Sequence, residues 1–533
     1  MPTDASGRRL LGALLLAAVA GLLTGPSLSC NRAEQPETSP NVLWVLWDTV
    51  RVDHLSLYGY EKPTTPHLEE WARGARVFDN CTSPAPTTTL AHASMFTGLM
   101  PSEHGANDQQ RYLSGRLVTI AELLSQNGYQ TYMYSANPNI SRQENFDQGF
   151  DVEEHPWDRK YQRDAFRIVR RKIPPHDRSS ELTGQIKGGR TSTWGIKATG
   201  ELAEHGVESW LKQCDPQHPF FVFLNYMEAH RPYIPPESYR QRMMTPEQVR
   251  LSYQVDRSWV PWWAYTFGLH TYTDQQLAIT AGTYDATLAE LDDLLHNLLA
   301  SLRASGHLHN TIVVVTSDHG EHLGEHHLLD HQYSVYEPLV EVPLVIHYPQ
   351  RFEPGRESRP VSTIDLFPTL LELAGVDPPE GLRSRAVSLL SPRDKRERLA
   401  EYPVHCSEVF ESIRRAYPEW DPSPWQRSLR AFFRDDYKYI WSSDGRHELY
   451  NIRADPRELN NLIDQAGLAK PLAAGLAEAV AGLRRPGEVE SPQRVYSDIQ
   501  LEVLKSLGYV AGDDEDEQAA ASRPASAPVG ETP

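Results

Sequence analysis

Four cysteines in 533 residues are too few to staple a fold. Apart from Cys30, near the N-terminus, only Cys81, Cys214 and Cys406 remain, an odd set whose spacing matches no zinc motif. A disulfide scaffold is excluded, and one bridge at most is compatible with the count. Excess basic charge is also missing. The net charge is −19, which argues against nucleic acid as a partner, since phosphate backbones select a basic face. Long apolar runs are scarce as well. The run over residues 10–23 is short for a membrane span.

The rest of the composition is that of a globular protein, with 40% hydrophobic and 23% charged residues, and the length predicts two domains. Arg8 and Arg9, the apolar run and then Gly25-Pro26-Ser27-Leu28-Ser29-Cys30 read as an export signal. The Ser29-Cys30 junction resembles a bacterial lipoprotein processing site. Lipidated Cys30 would anchor the chain to a membrane without spanning it. An ordinary cleaved signal with an incidental cysteine is the other reading. Either way the expected location is periplasmic or outer cell envelope. The expected division is a signal over 1–29, a linker over 30–40, a catalytic domain over 41–390, a C-terminal subdomain over 391–510 and a disordered acidic, Ala/Pro-rich tail over 511–533.

Residues 41–48 are a nearly continuous apolar run closed by Asp48, as a buried parallel strand reads. Strand carboxyl ends are where open α/β sheets place ligands, so Asp48 is placed for chemistry or caps the next turn. A helix over 66–75 and a short strand over 76–80 follow. The run Pro86-Thr87-Thr88-Thr89-Leu90-Ala91-His92 then opens a small-residue segment ending at Gly98. Hydroxyls at a helix start cap free N–H groups, and the same N–H groups form an anion site. A helix over 117–126 and a strand over 129–135 continue an α/β alternation. The Arg/Lys-rich stretch 155–190 is a solvated insertion or a basic lid. A helix over 193–213 precedes a buried strand over 220–225, and the aromatics of 252–272 pack an insertion or rim a cleft. Residues 274–304 carry leucines at helical spacing. A second β-branched strand, 311–316, ends in Ser317-Asp318-His319-Gly320-Glu321, with His322, His326, His327 and His331 beyond. A strand over 342–348 and a helix over 363–374 come next. Short strands over 429–434, 437–441 and 448–450 and a helix over 471–484 predict a smaller C-terminal α+β part.

Two strand ends and a hydroxyl run thus supply Asp48, Asp318, His319 and a threonine oxygen, a plausible set for one divalent cation. Such a cation would activate a weak threonine nucleophile and hold an anionic ester against it.

With these residues the chain is similar to the sulfatase family of the alkaline-phosphatase superfamily, from about residue 41 to 463. The likeness rests on Asp48, Ser94…Thr97-Gly98, Tyr226…His230…Pro232-Tyr233, Tyr284, Leu291-Asp292-Asp293, Ser317-Asp318-His319-Gly320-Glu321…Gly324-Glu325-His326, Val342-Pro343-Leu344, Asp365…Pro368-Thr369-Leu370 and Leu449-Tyr450…Asn461-Leu462. The resemblance implies an α/β fold: an alkaline-phosphatase/sulfatase-like doubly wound sheet with helices on both faces, plus the C-terminal α+β subdomain. It implies a hydrolase of sulfate or phosphate esters with one divalent metal ion (Ca, Mn, Mg or Zn) on Asp48, Thr88, Asp318 and His319. Thr88, His230, His331 and His92 are the implied catalytic residues, with His326 and His327 behind them. The implied partner is a sulfated or phosphorylated glycan, lipid or small molecule. Several positions depart from the family. Thr88 stands where Cys or Ser matures to formylglycine, Leu90 and His92 replace the Pro and Arg of that motif, and Thr49 replaces a second Asp. Residues 135–139 lack the usual Lys and His, and His331 stands for a Lys. Threonine is not a substrate of the formylglycine machinery, and a plain Thr nucleophile resembles the phosphoesterase and phosphotransferase branches. A phospho-headgroup transferase and an inactive anion-binding homologue are the alternatives.

Overall fold

Residues 39–109, 111–173, 196–378, 384–392, 397–403, 407–483 and 494–506 are described by a computed structural model. The expected signal, Cys30, most of the linker, Cys406 and the tail lie outside them. Among the described residues no helix is long and apolar enough to cross a membrane.

The apolar runs become a central sheet of eight strands: β1 (Asn41–Trp47), β2 (Arg76–Phe78), β3 (Gln130–Ser135), β4 (Val152–Glu154), β5 (Phe220–Tyr226), β6 (Thr311–Thr316), β7 (Leu344–His347) and β8 (Gly355–Glu357), in the order β8-β2-β7-β6-β1-β5-β3-β4. β1 lies in the middle, parallel to β5 and β6, with Val45 level with Leu224 and Val315. Only β7 runs against its neighbours, β6 and β2. It begins after Pro343, two residues later than predicted, because proline cannot donate to a ladder.

Both faces of the sheet are buried, which is why its strands read as continuous apolar runs. Leu43, Val45 and Trp47 pack on one side with the helices Pro66–Ala72, Glu201–Leu211 and Asp274–Ala304. Val42, Trp44 and Leu46 pack on the other with Thr88–Thr97, Ile120–Gln126 and Leu366–Ala374. The sheet is therefore doubly wound.

The helix Asp274–Ala304 also ties distant loops together. Its Tyr284 hydroxyl donates to Thr49 O at 2.8 Å and accepts from Arg51 N at 2.9 Å. Asp285 meets His54 and Lys62, each at 2.7 Å. Asp292 accepts from the N–H groups of His67 and Leu68, both at 2.8 Å, at the start of the helix Pro66–Ala72.

A second, antiparallel sheet, Arg398–Tyr402, Leu429–Arg434, Tyr437–Ser442 and Glu448–Asn451, forms the C-terminal part with the helix Ala466–Ala481. That helix begins five residues before the predicted 471. Pro471 sits inside it, tolerated near the start because the carbonyl its ring leaves without a donor belongs to exposed Gly467.

One other expectation shifts. The helix predicted over 193–213 spans Glu201–Leu211; just before it, Gly200 runs so close to β5 and the helix Asp274–Ala304 that a Cβ there would lie 2.7 Å from Tyr226 and Leu294. The aromatics of Trp259–Thr266 pack inward, with Trp262 and Trp263 buried. In the basic stretch, the helix Gln162–Lys172 keeps Arg163, Arg167, Arg170 and Arg171 exposed but buries Lys172, whose Nζ lies 2.5 Å from Glu290 Oε1. Residues 174–190 of that stretch are outside the described set.

Candidate active site

Asp48 follows β1 directly, and Asp318 and His319 follow β6 after one residue. Because β1 and β6 are parallel neighbours, their carboxyl ends bring these three side chains together. All are buried, and one ligand atom from each lies within 4.8 Å of the others. The loops are locked in place. Asp318 Oδ1 accepts from Thr49 N at 3.2 Å and His319 N at 2.9 Å, and Ser317 Oγ accepts from Val50 N at 3.0 Å. Thr49 takes a left-handed φ of 60°, an uncommon conformation for a β-branched residue. Buried Arg51 joins the two loops, donating to Glu321 O at 3.1 Å and to Glu325 Oε1 at 2.7 Å.

The threonine run starts a helix, with Thr87 in the N-cap position, but Thr87 makes no side-chain cap hydrogen bond. The hydroxyl of Thr88, the first helical residue, instead lies 3.2 Å from His319 Nε2. His319 Nδ1 donates to Gly320 O at 2.9 Å, so Nε2 presents a lone pair toward Thr88 and the carboxylates.

Further residues reach this cluster. Asn137, after β3, donates to Asp48 Oδ2 at 2.8 Å and lies 3.5 Å from Thr88 Oγ1. His92, one turn along from Thr88, places Nδ1 3.0 Å from Thr88 O and 3.5 Å from Asp318 Oδ2, while Nε2 lies 3.3 Å from Asn225 Nδ2. His92 therefore sits beneath the cluster, engaged at both nitrogens. The His331 ring stacks on His319 at 4.6 Å and meets His230 edge-on at 5.2 Å, so three imidazoles form a row. Lys197, fully buried, donates to Met227 O and His230 O, each at 2.5 Å, and so braces the turn that carries His230. His326 and His327 are engaged elsewhere, His326 stacked on Tyr336 and His327 tilted against Tyr265.

Electrostatics sort these groups. Burial raises Asp48 to about 6, although the Asn137 hydrogen bond and nearby His331 work against the shift. Burial and the neighbouring Asp48 push Asp318 well above the usual carboxylate range. Burial lowers His92 to about 3 and, with the nearness of His331, holds His319 and His230 well below the ordinary imidazole value. His331 goes the other way. Burial opposes its charge, but Asp330 at 2.8 Å and Glu321 at 3.7 Å outweigh burial and raise it well above the ordinary value.

Asp48 Oδ1 and Asp318 Oδ2 have no hydrogen-bond partner although both are buried. Two adjacent buried carboxylates with unpaired oxygens are costly unless a cation lies between them. With the oriented His319 Nε2 beside them, they fit a divalent metal. Glu321, Asp330 and His331 are a second cluster of suitable types, but His331 and Arg231 already supply positive charge there.

The sequence pointed to Asp48, Thr88, His92, His230, Asp318, His319 and His331, and the fold gathers all of them. It missed Asn137, Asn225, Lys197 and the Asp330–Glu321 pair behind His331. Asn225 carried a readable signal, a polar side chain near the end of an apolar strand. Asn137 stood in a turn at a strand's carboxyl end. Lys197 had none.

Residues 40–376 match the family model described as Sulfatase, and residues 324–485 match one described as N-sulphoglucosamine sulphohydrolase, C-terminal. An N-acetylglucosamine-6-O-sulfatase of Bacteroides thetaiotaomicron is 25% identical, over 83% of this chain and 86% of its own. Arylsulfatase K of Xenopus laevis is 25% identical, over 75% and 74%. Among solved structures, the phosphonate monoester hydrolase of Agrobacterium radiobacter superposes with a TM-score of 0.63 at 20% identity, over 83% of this chain and 95% of that one. A protein solved with its substrate D-glucosamine-2-N,6-O-disulfate superposes with a TM-score of 0.60 at 21% identity, over 83% and 98%. At these identities the superpositions speak for the fold.

Proposed function

Since the chain belongs to the sulfatase family of the alkaline-phosphatase superfamily, whose relatives are named as ester hydrolases, we propose that it hydrolyses sulfate or phosphate esters with Thr88 as nucleophile at a single divalent-metal site. The observation that carries this reading is the Thr88 hydroxyl, 3.2 Å from His319 Nε2 at a helix start beside two unpaired carboxylate oxygens. Asp48, Asp318, His319 and the Thr88 oxygen would hold the ion. Bound there, it would lower the pKa of the Thr88 hydroxyl and offset the charge of the ester.

The protein's own groups supply the rest. Thr88 Oγ, giving up its proton to water, attacks the sulfur or phosphorus and forms a bond to it as the bond to the alcohol oxygen breaks. The first-turn N–H groups of the Thr88 helix face the charge on the other oxygens. His331, held charged by Asp330 and Glu321, binds an ester oxygen or gives its proton to the departing alcohol, with His230 beside it. Water then cleaves the ester on Thr88, restoring the hydroxyl and releasing the inorganic anion. His92 keeps Thr88 and Asp318 in place. Sulfated glycans are natural candidates because named relatives act on them, and phosphate or phosphonate esters because Thr88 is a plain hydroxyl. Export with an anchor at Cys30 would place the reaction in the cell envelope.

The test is turnover of aryl sulfate, aryl phosphate, phosphodiester and phosphonate substrates with and without chelator, by the wild type and Thr88→Ala. The proposal expects a chelator-sensitive activity that falls on the order of 10³-fold or more in the variant. Full activity in Thr88→Ala would refute it.

A further inference from the structure

The segment from Arg494 through the helix Asp498–Ser506 lies beyond both family-matched stretches, which end at residues 376 and 485. It packs on the loop that leaves β3, the loop that carries Asn137. Glu144 in that loop is fully buried, and its Oε2 lies 2.8 Å from Arg494 Nη1 while its Oε1 accepts from the Tyr496 hydroxyl. Gln500 Nε2 donates to Gln143 Oε1 at 2.9 Å and to Ser141 Oγ at 3.3 Å. Ser141 Oγ in turn donates to Pro138 O at 2.8 Å, and Asn139 N donates to Asn137 Oδ1 at 3.0 Å. The segment is seated by burial as well, because Val503 and Leu504 are fully buried and Ile499 packs against the main core.

We propose that Arg494, Tyr496 and Gln500 are positioning residues that clasp this loop so that the Asn137 amide is held against Asp48. The inference rests on the hydrolase reading of the site. The loop has no strand or long helix of its own to fix it. A hydrogen bond at 2.8 Å weakens steeply with a displacement of about an ångström, and misplacement far from the chemistry costs rate. The clasp supplies the missing restraint from a part of the chain that the matched family segments do not include.

The experiment uses the full-length chain. Arg494→Ala, Gln500→Ala, Asn137→Ala and the double variants with Asn137→Ala are compared on whichever ester the wild type cleaves. Arg494→Ala should lower kcat about 10-fold with little change in KM, and Arg494→Lys should recover most of it. In the Asn137→Ala background the Arg494→Ala loss should vanish, because both act through one contact. Gln500→Ala leaves the ion pair in place and should show the same non-additivity if Arg494→Ala fails to fold. Hydrogen exchange gives a readout independent of turnover. Peptides covering residues 137–146 should exchange faster in Arg494→Ala, with the Thr88 helix unchanged. If no ester is cleaved, the hydrolase reading fails while this exchange result still tests the clasp. The same rate loss with and without Asn137, or unchanged exchange in the loop, overturns the clasp.

Discussion

Asn137 donates to Asp48 Oδ2 at 2.8 Å, and Asp48 Oδ1 has no hydrogen-bond partner. One carboxylate is thus divided between a protein amide and the place where a cation fits. Removing the amide frees the carboxylate to turn. Asn137→Ala is expected to weaken metal binding and lower kcat, each by about 10–100-fold, the usual effect of losing a partner behind a ligand. Equilibrium dialysis with a chosen divalent ion and steady-state kinetics at saturating metal separate the two.

Asp48 and Asp318 lie side by side and buried, so a bound cation should stabilise the protein strongly. The melting temperature of the chelated protein is expected to rise on adding Ca, Mn, Mg or Zn, whichever binds, as ligand linkage requires. Asp318→Asn replaces a ligand carboxylate by a neutral amide and should show little rise with metal. Scanning calorimetry of both proteins checks this. An equal metal response in the variant would move the ion elsewhere.

His331 lies 2.8 Å from Asp330 and 3.7 Å from Glu321, and the two carboxylates hold its charge. If its duty is a fixed positive charge, His331→Lys should retain much of the activity. His331→Gln should lose on the order of 10²–10⁴-fold, within the range for an acid–base group. Equal losses in both variants would mean that the proton, not the charge alone, is required.

Glu325 gives a pH prediction. Burial works against its charge, but Arg51 at 2.7 Å holds it down to about 2, below its ordinary value near 4.5. A depressed carboxylate stabilises the fold above its unfolded pKa, and that contribution is lost as pH falls through the folded value. The Arg51–Glu325 pair should therefore be at full strength above about pH 4.5 and fade toward pH 2. With a side chain 30% exposed, it is worth about 2 kcal/mol. Glu325→Gln should lose that much at pH 7 and show a shallower acid loss in denaturant titrations followed by fluorescence.

The central strands were legible because both faces of the sheet are buried, so β1 and β6 appear as unbroken apolar runs ending in ligand types. The Thr88 helix was legible from its hydroxyl run and Gly98, which takes a φ of 69° at the C-cap. Asn137 was not, because nothing local says that an amide will reach a carboxylate 89 residues away. Lys197 was hidden in the same way. It lies beside a basic stretch that reads as solvated, yet its amine is buried under the His230 turn. The start of the helix Glu201–Leu211 was misjudged because Gly200's packing against Leu294 and Tyr226, not local propensity, decides where the chain turns.

The helix Asp274–Ala304 carries one further consequence. Tyr284 holds the loop after Asp48, Asp285 the turn at His54, Asp292 the next helix start and Glu290 the buried Lys172. These segments are far apart in sequence, but they share one rigid rod. None can open without either breaking its own tether or carrying the rod along. Exchange of their amides should therefore rise together under mild denaturant, as one cooperative unit, and the loop beside Asp48 should be no looser than the helix that braces it.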